Sequence, residues 1–338
     1  MKRTTILVLV IVVVVAGVLL FVFRDSIFGS GGDDDVTLIG ISKYVAHPAL
    51  DAVEQGIQDE LVELGHTDVV YDLQSANADV STASQIAAKF KADEVDVAVA
   101  IATPNAQALV SAIDDTPIVF TAVTDPVDAQ LVPGLSGGGG NVTGYSDMTP
   151  VREQIELIAD FPGVNAIGHV YSAGEANALV LAQQAEEVAT ELGIDFVTAT
   201  ITNSAEVRQA AESIVNRVDF FYMSTDNAVV SALSTLTDVA MDSGVPVMSA
   251  DPSSAETQDV IAAYGFDYYT MGRATGALVA RILDGEDPDD IPVQFLTDAE
   301  DLILHVNADV ADQLGIELPA SIMDAADRVV EAGVLTEQ

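Results

Sequence analysis

Polar side chains recur at one kind of place in this sequence, directly after short apolar runs. The runs end in Ser42-Lys43-Tyr44, Ala102-Thr103-Pro104, Thr121 through Asp125, Tyr171-Ser172, Ser224 through Asn227, and Ala250-Asp251. Hydroxyls, amides and carboxylates so placed hold a small polar ligand by hydrogen bonds. In "ATPNAQAL", Thr103 reads as a helix N-cap with Pro104 at the first helical position. The amides that follow then present a positive helix end, which suits a carboxylate. Thr121 and Thr124 add hydroxyls after the next run. Asp251, at the end of "VPVMSAD", suits an ammonium, with Asp226 as the second choice. Each of these two reads equally as a turn or helix cap. Tyr44, Tyr171, Tyr264 and Tyr268 carry rings that either clamp a ligand or pack a core.

Other chemistries leave no trace. The histidines His47, His66, His169 and His305 are scattered, and cysteine is absent, so no metal-ligand spacing, thiolate or disulfide is read. G-x-S-x-G, P-loop and Rossmann glycine patterns are missing. The expectation is a protein that is not an enzyme and uses no cofactor or metal. With 53 acidic and 12 basic residues the formal charge is -41. Such a chain repels phosphate backbones, so nucleic acid is excluded as a partner. The acidity reads as a solubilising surface or as adaptation to high salt, which screens self-repulsion.

The polar ends need elements to position them. From Val36 onward short β-branched runs alternate with amphipathic stretches. "HPALDAVEQGIQDELVELG" repeats apolar residues at three- and four-residue spacing and stops at Gly65. "DVAVAIA" is the continuous apolar strand of a parallel sheet covered on both faces. The alternation breaks at "SGGGGNVTGYS", a glycine run suited to a hinge or a mobile loop, and then restarts with the same grammar. This predicts two similar α/β lobes, with the tail after Tyr268 passing back across a hinge. In open α/β sheets ligands bind outside the strands' carboxyl ends, where the polar residues fall.

At the N-terminus, Lys2 and Arg3 precede an apolar run from Ile6 to Phe23, followed by the tether "GSGGDDD". The run is long enough for a membrane helix and no small-residue cleavage site follows it. It reads as an uncleaved anchor, the alternative being a cleaved signal peptide. Either reading places the rest of the chain outside the cytoplasm.

"PIVFTAVTDPVDAQLV", "NVTGYSD", "STDNAVVSAL" and "AAYGFDYYTMGRATGALVARILDGEDPDDIPV" resemble the exported substrate-binding proteins of ABC transporters of the tryptophan/tyrosine-binding type. The resemblance covers roughly Val36 to Pro319. It implies a type I periplasmic-binding fold, two doubly wound parallel-sheet lobes joined by a multi-stranded hinge, with the ligand between them. Carried over residue by residue, it implies contacts from Tyr44, His47, Thr103, Thr121 and Thr124 on one side. Opposite these it implies Tyr171, Glu175, Asn177, Thr225, Asp226, Asn227 and Asp251, with Asp267 and Tyr268 near a hinge crossing. The partners implied are a small ligand and an ABC permease with its ATPase, the binding protein being a monomer tethered to the membrane. The expected division is 1–24 anchor or signal, 25–35 acidic linker, 36–143 with 267–290 first lobe, and 144–266 with 291–338 second lobe. The ligand reads as an amino acid, aromatic by the resemblance. A sensor ectodomain of the same fold, or a nucleoside, sugar or peptide as ligand, remains open.

Overall fold

The computed structural model describes residues 36–137, 139–297 and 301–338. The apolar run at 6–23 and the acidic tether, with the anchor or signal reading placed on them, lie outside the described residues. Among the described residues no helix is long and apolar enough to cross a membrane.

The chain opens with β1 (Thr37–Lys43), α1 (Pro48–Glu63), β2 (Val69–Ser75), α2 (Val80–Ala92), β3 (Val97–Ile101), α3 (Thr103–Ala112), β4 (Ile118–Val123) and β5 (Val142–Ser146). It continues through α4 (Val151–Ala159), β6 (Ala166–Ser172), α5 (Ala176–Leu192), β7 (Asp195–Ile201), α6 (Val207–Ile214), β8 (Phe220–Met223), α7 (Asn227–Val230), α8 (Leu233–Asp242), β9 (Val247–Ser249), α9 (Ser254–Thr257) and β10 (Ala262–Phe266). The tail is α10 (Tyr268–Leu283), β11 (Gln294–Phe295), β12 (Leu302–Asn307), α11 (Ala308–Leu314), α12 (Ala320–Ala325), β13 (Arg328–Glu331) and β14 (Val334–Glu337).

Two sheets result. The first has the order β11-β5-β4-β3-β1-β2 and is parallel throughout. Every residue of β3 and β4 is buried, as their unbroken apolar sequences require. The second has the order β14-β13-β12-β10-β9-β8-β6-β7. It departs from the all-parallel expectation at β10/β12 and β13/β14, which are antiparallel. The first exception has a simple cause. Strands β6, β8, β9 and β10 run toward the cleft, and the chain returns from the first lobe at that same end. Strand β12 must therefore run away from it.

The chain crosses between lobes after β5, after β10 and after β11. The first sheet runs to Ser146 rather than 143 and takes in Phe295 rather than stopping at 290. The glycine run accordingly precedes β5 and does not form the crossing. Its loop is tied down within the first lobe, where the Gly140 amide donates to Asp289 (2.8 Å) and the Val293 amide donates to the Leu135 carbonyl (3.0 Å).

Helix α10, made after the second crossing, returns to pack on α1 through glycines. A Cβ at Gly272 would stand 2.3 Å from the Val53 carbonyl oxygen, and one at Gly56 would stand 2.4 Å from that of Tyr269. No side chain fits there, so the backbones touch directly. This contact fixes the start of α1 and the start of α10, both of which border the cleft.

Candidate functional site

A narrow cleft lies between the two sets of strand ends. The first lobe contributes His47, Ala49 and Leu50 at the start of α1, and Ala122 and Thr124 at the end of β4. The second contributes Asn177 at the start of α5, Thr225, Asp226, Asn227 and Val230 around α7, and Asp251 after β9. Asp147 and Tyr268 enter from the first and second crossings. The wall is thus part apolar and part polar, the usual make-up of a small-molecule site. Among the described residues no lysine or arginine lines it.

Strand β4 ends irregularly. Its register with β5 shifts between Phe120 and Val123, and Ala122 has φ 52°. A non-glycine residue held there is strained, and such strain collects at functional sites. Ala102, at the matching end of β3, has φ 81°.

The acids are buried and each is held differently. Asp226 caps α7: Oδ1 accepts from the Val229 amide (3.0 Å) and Oδ2 from the Ser172 amide (2.5 Å). Burial, then the neighbouring Glu175 carboxylate, push its carboxyl far above the usual range. Glu175 is raised mainly by burial, and it accepts from the Asn227 side chain (2.6 Å) and the Ala228 amide (3.0 Å). Asp251 closes a turn, accepting from the Ser253 amide and hydroxyl, both at 2.9 Å. Asp147 accepts from the Tyr268 hydroxyl (3.0 Å) and, more weakly, from the Thr124 hydroxyl (3.4 Å). Burial pushes both Asp147 and Asp251 to about 6. His47 is lowered by burial to about 4 and is neutral at physiological pH.

Three polar atoms of lining residues have no hydrogen-bond partner among the described residues: His47 Nδ1, Asn177 Oδ1 and Thr225 Oγ1. A buried polar group left alone costs about 1–3 kcal/mol, so these atoms are ready to meet a ligand.

Of the residues expected from sequence, His47, Thr124, Asn177, Thr225, Asp226, Asn227, Asp251 and Tyr268 come together at the cleft. The others lie outside its lining. Thr103 is not a cap, because Ala102 occupies that position and the Thr103 hydroxyl is buried without a partner. Thr121 accepts from the Thr275 hydroxyl (2.9 Å) and so ties β4 to α10. Tyr44 donates to the Ala78 carbonyl (3.2 Å), with burial and then the Glu175 carboxylate raising it to about 12. Tyr171 stacks on His169 at 5.6 Å. Glu175 supports Asn227 from behind, and Asp267 caps α10 through the Thr270 amide (2.9 Å). Sequence reasoning missed Asp147, Ala49, Leu50, Ala122 and Val230. Asp147 had a signal, since it directly follows strand "VTGYS", but that stretch was read as the glycine-rich break.

Residues 38–330 match the family described as ABC transporter substrate binding protein, and the chain belongs to that family. Its members are extracytoplasmic proteins that bind a small ligand and work with a permease and its ATPase. A tyrosine-binding protein of Clostridioides difficile is 36% identical over 269 residues, 78% of each chain. A Streptococcus pneumoniae ABC domain in complex with L-Trp is 32% identical, with a TM-score of 0.83 over 87% of this chain and 99% of that one. The ligand-free, open structure of a Clostridium difficile substrate-binding protein is 37% identical, with a TM-score of 0.64 over 84% of this chain and 97% of that one. Identity and shape rank these two structures in opposite orders. The chain superposes better on the L-Trp complex than on the ligand-free, open structure.

Proposed function

We propose that this protein captures a free aromatic amino acid outside the cytoplasm and presents it, closed between its lobes, to an ABC permease with its ATPase. The observation that carries the reading is the polarity of the cleft. Asp147, Asp226 and Asp251 line it with no lysine or arginine among the described residues, beside unpartnered polar atoms and an apolar wall of Ala49, Leu50 and Val230. A ligand that brings its own cation and an apolar side chain completes such a site. The likeness to a tyrosine-binding protein and to an L-Trp complex supports the same choice. Lobe closure is the signal for the permease, and no chemical step on the ligand is required. The N-terminal apolar run serves as the tether, and the binding unit acts as a monomer.

A thermal-shift screen of the purified protein against the amino acids tests this. A ligand binding only the native state stabilises it by about 2.7 kcal/mol at a hundredfold excess over Kd. Tryptophan or tyrosine should give the largest rise in Tm. A rise with sugars or nucleosides and none with amino acids would replace the reading.

A further inference from the structure

We propose that Asp147, on the first crossing between the lobes, is the carboxylate that holds the ammonium group of the bound ligand. The inference rests on the amino-acid reading of the cleft and names the group that selects for it. Three aspartates line the cleft, and their existing bonds separate them. Asp226 has each oxygen on a backbone amide, those of Ser172 and Val229, and serves as a helix cap. Asp251 has each oxygen on Ser253 and serves as a turn closure. Asp147 accepts from no neighbouring residue's amide among the described residues, but from the hydroxyls of Tyr268 and Thr124, the latter at 3.4 Å, near the limit of a hydrogen bond.

Those two hydroxyls also line the cleft. A hydroxyl accepts as well as donates, so Asp147, Thr124 and Tyr268 together offer an ammonium three oxygens for its three N–H donors. The aspartate is also firmly placed. Its amide donates to the Val123 carbonyl (3.1 Å), and the adjacent Ser146 hydroxyl donates to the Thr124 carbonyl (2.8 Å). Asp147 is 3% exposed and has no cation beside it among the described residues, an arrangement that a ligand's positive charge completes. Its raised carboxyl reflects the same unmet demand. Because Asp147 and Tyr268 stand on two different crossings, an ammonium held there sits at the pivot of closure, not on either lobe's face.

Calorimetric titration of the intact protein with L-tryptophan, L-tyrosine and the deaminated acid 3-(indol-3-yl)propionate tests the assignment. The wild type should bind an amino acid and bind the deaminated acid at least about 30-fold more weakly, as expected when a buried charge loses its partner. Asp147→Asn should lose about 30-fold or more for the amino acid and nothing for the deaminated acid. Asp251→Asn and Tyr268→Phe, which keep Asp147 ionisable, should each lose at least about tenfold less. Equal binding of both compounds by the wild type overturns the proposal without any variant. A larger loss in Asp251→Asn or Tyr268→Phe than in Asp147→Asn also overturns it, and leaves the amino-acid reading standing. No binding of any amino acid by the wild type overturns that reading itself, and the assignment with it.

Discussion

Acidification from pH 7 to pH 5 should loosen ligand binding through the same buried carboxyls that, in the empty protein, become less costly to bury. Burial raises Asp147 to about 6, and the same holds for Asp251. A carboxyl at that value is about nine-tenths ionised at pH 7 and about one-tenth at pH 5. Only the ionised form attracts an ammonium. Kd should therefore rise about tenfold, roughly 1.4 kcal/mol, for the one group that must be charged. Neighbouring groups do not reverse the sign. His47 stays neutral, since burial lowers it to about 4, and Asp226 is itself raised, so its protonation adds to the loss. In the empty protein these carboxyls act oppositely on stability. A carboxyl raised on folding contributes stability that is full below its unfolded value of about 3.8 and is lost as pH rises through about 6. Going from pH 7 to pH 5 then restores about 1.3 kcal/mol per such group, while His47 and His169, which burial lowers to about 4, each take away roughly 1.8 kcal/mol as their unfolded forms protonate. Calorimetric titration and apo melting curves at pH 7, 6 and 5 measure both arms. In Asp147→Asn the slope of affinity with pH should shrink. An affinity constant within about twofold across this range in the wild type would refute the charge argument.

Gly272→Ala should destabilise the protein by roughly 1–3 kcal/mol by forcing α10 off α1, read as a lower midpoint in urea. Thr103→Val should leave affinity unchanged and raise Tm slightly, because it removes a buried hydroxyl without a partner. A large loss of affinity there would reinstate the carboxylate site at α3. Asp226→Ala should lower apo stability by about 1 kcal/mol or more through loss of the α7 cap, whereas Asp226→Asn should retain most of it. Raising salt to molar levels should raise Tm, since the formal charge of -41 repels itself, and a flat response would leave solubility as the only role of the acidity.

The architecture was legible because alternating strands and helices leave periodic signals. The unbroken apolar β3 and β4 announce a parallel sheet, and Gly193 stops α5 in the left-handed conformation. The antiparallel β12 was not legible, because strand direction depends on where the chain re-enters and not on local pattern. The site was half legible for a related reason. The strand-end rule finds Thr124, Thr225, Asp226 and Asp251, but it does not tell which way each side chain turns. Thr121 and Thr124 are three residues apart in one threonine-rich stretch, yet one bonds to Thr275 in the core while the other faces the cleft. Only the bulge and the strained Ala122 between them decide that.

The contact between α1 and α10 also sets an order of events during synthesis. Gly56 and Gly272 touch although β2 to β10 lie between them in the chain. At about 5–20 residues per second, a ribosome needs on the order of 10–40 s to travel from one to the other. From the completion of β5 until the end of that interval the first lobe has β1 to β5 but lacks the helix that covers α1. It also lacks β11, which completes its sheet edge. The second lobe can gather β6 to β10 in that time, so the segment made first cannot finish first. A nascent chain of this topology keeps an apolar face of its leading half uncovered until its trailing part arrives.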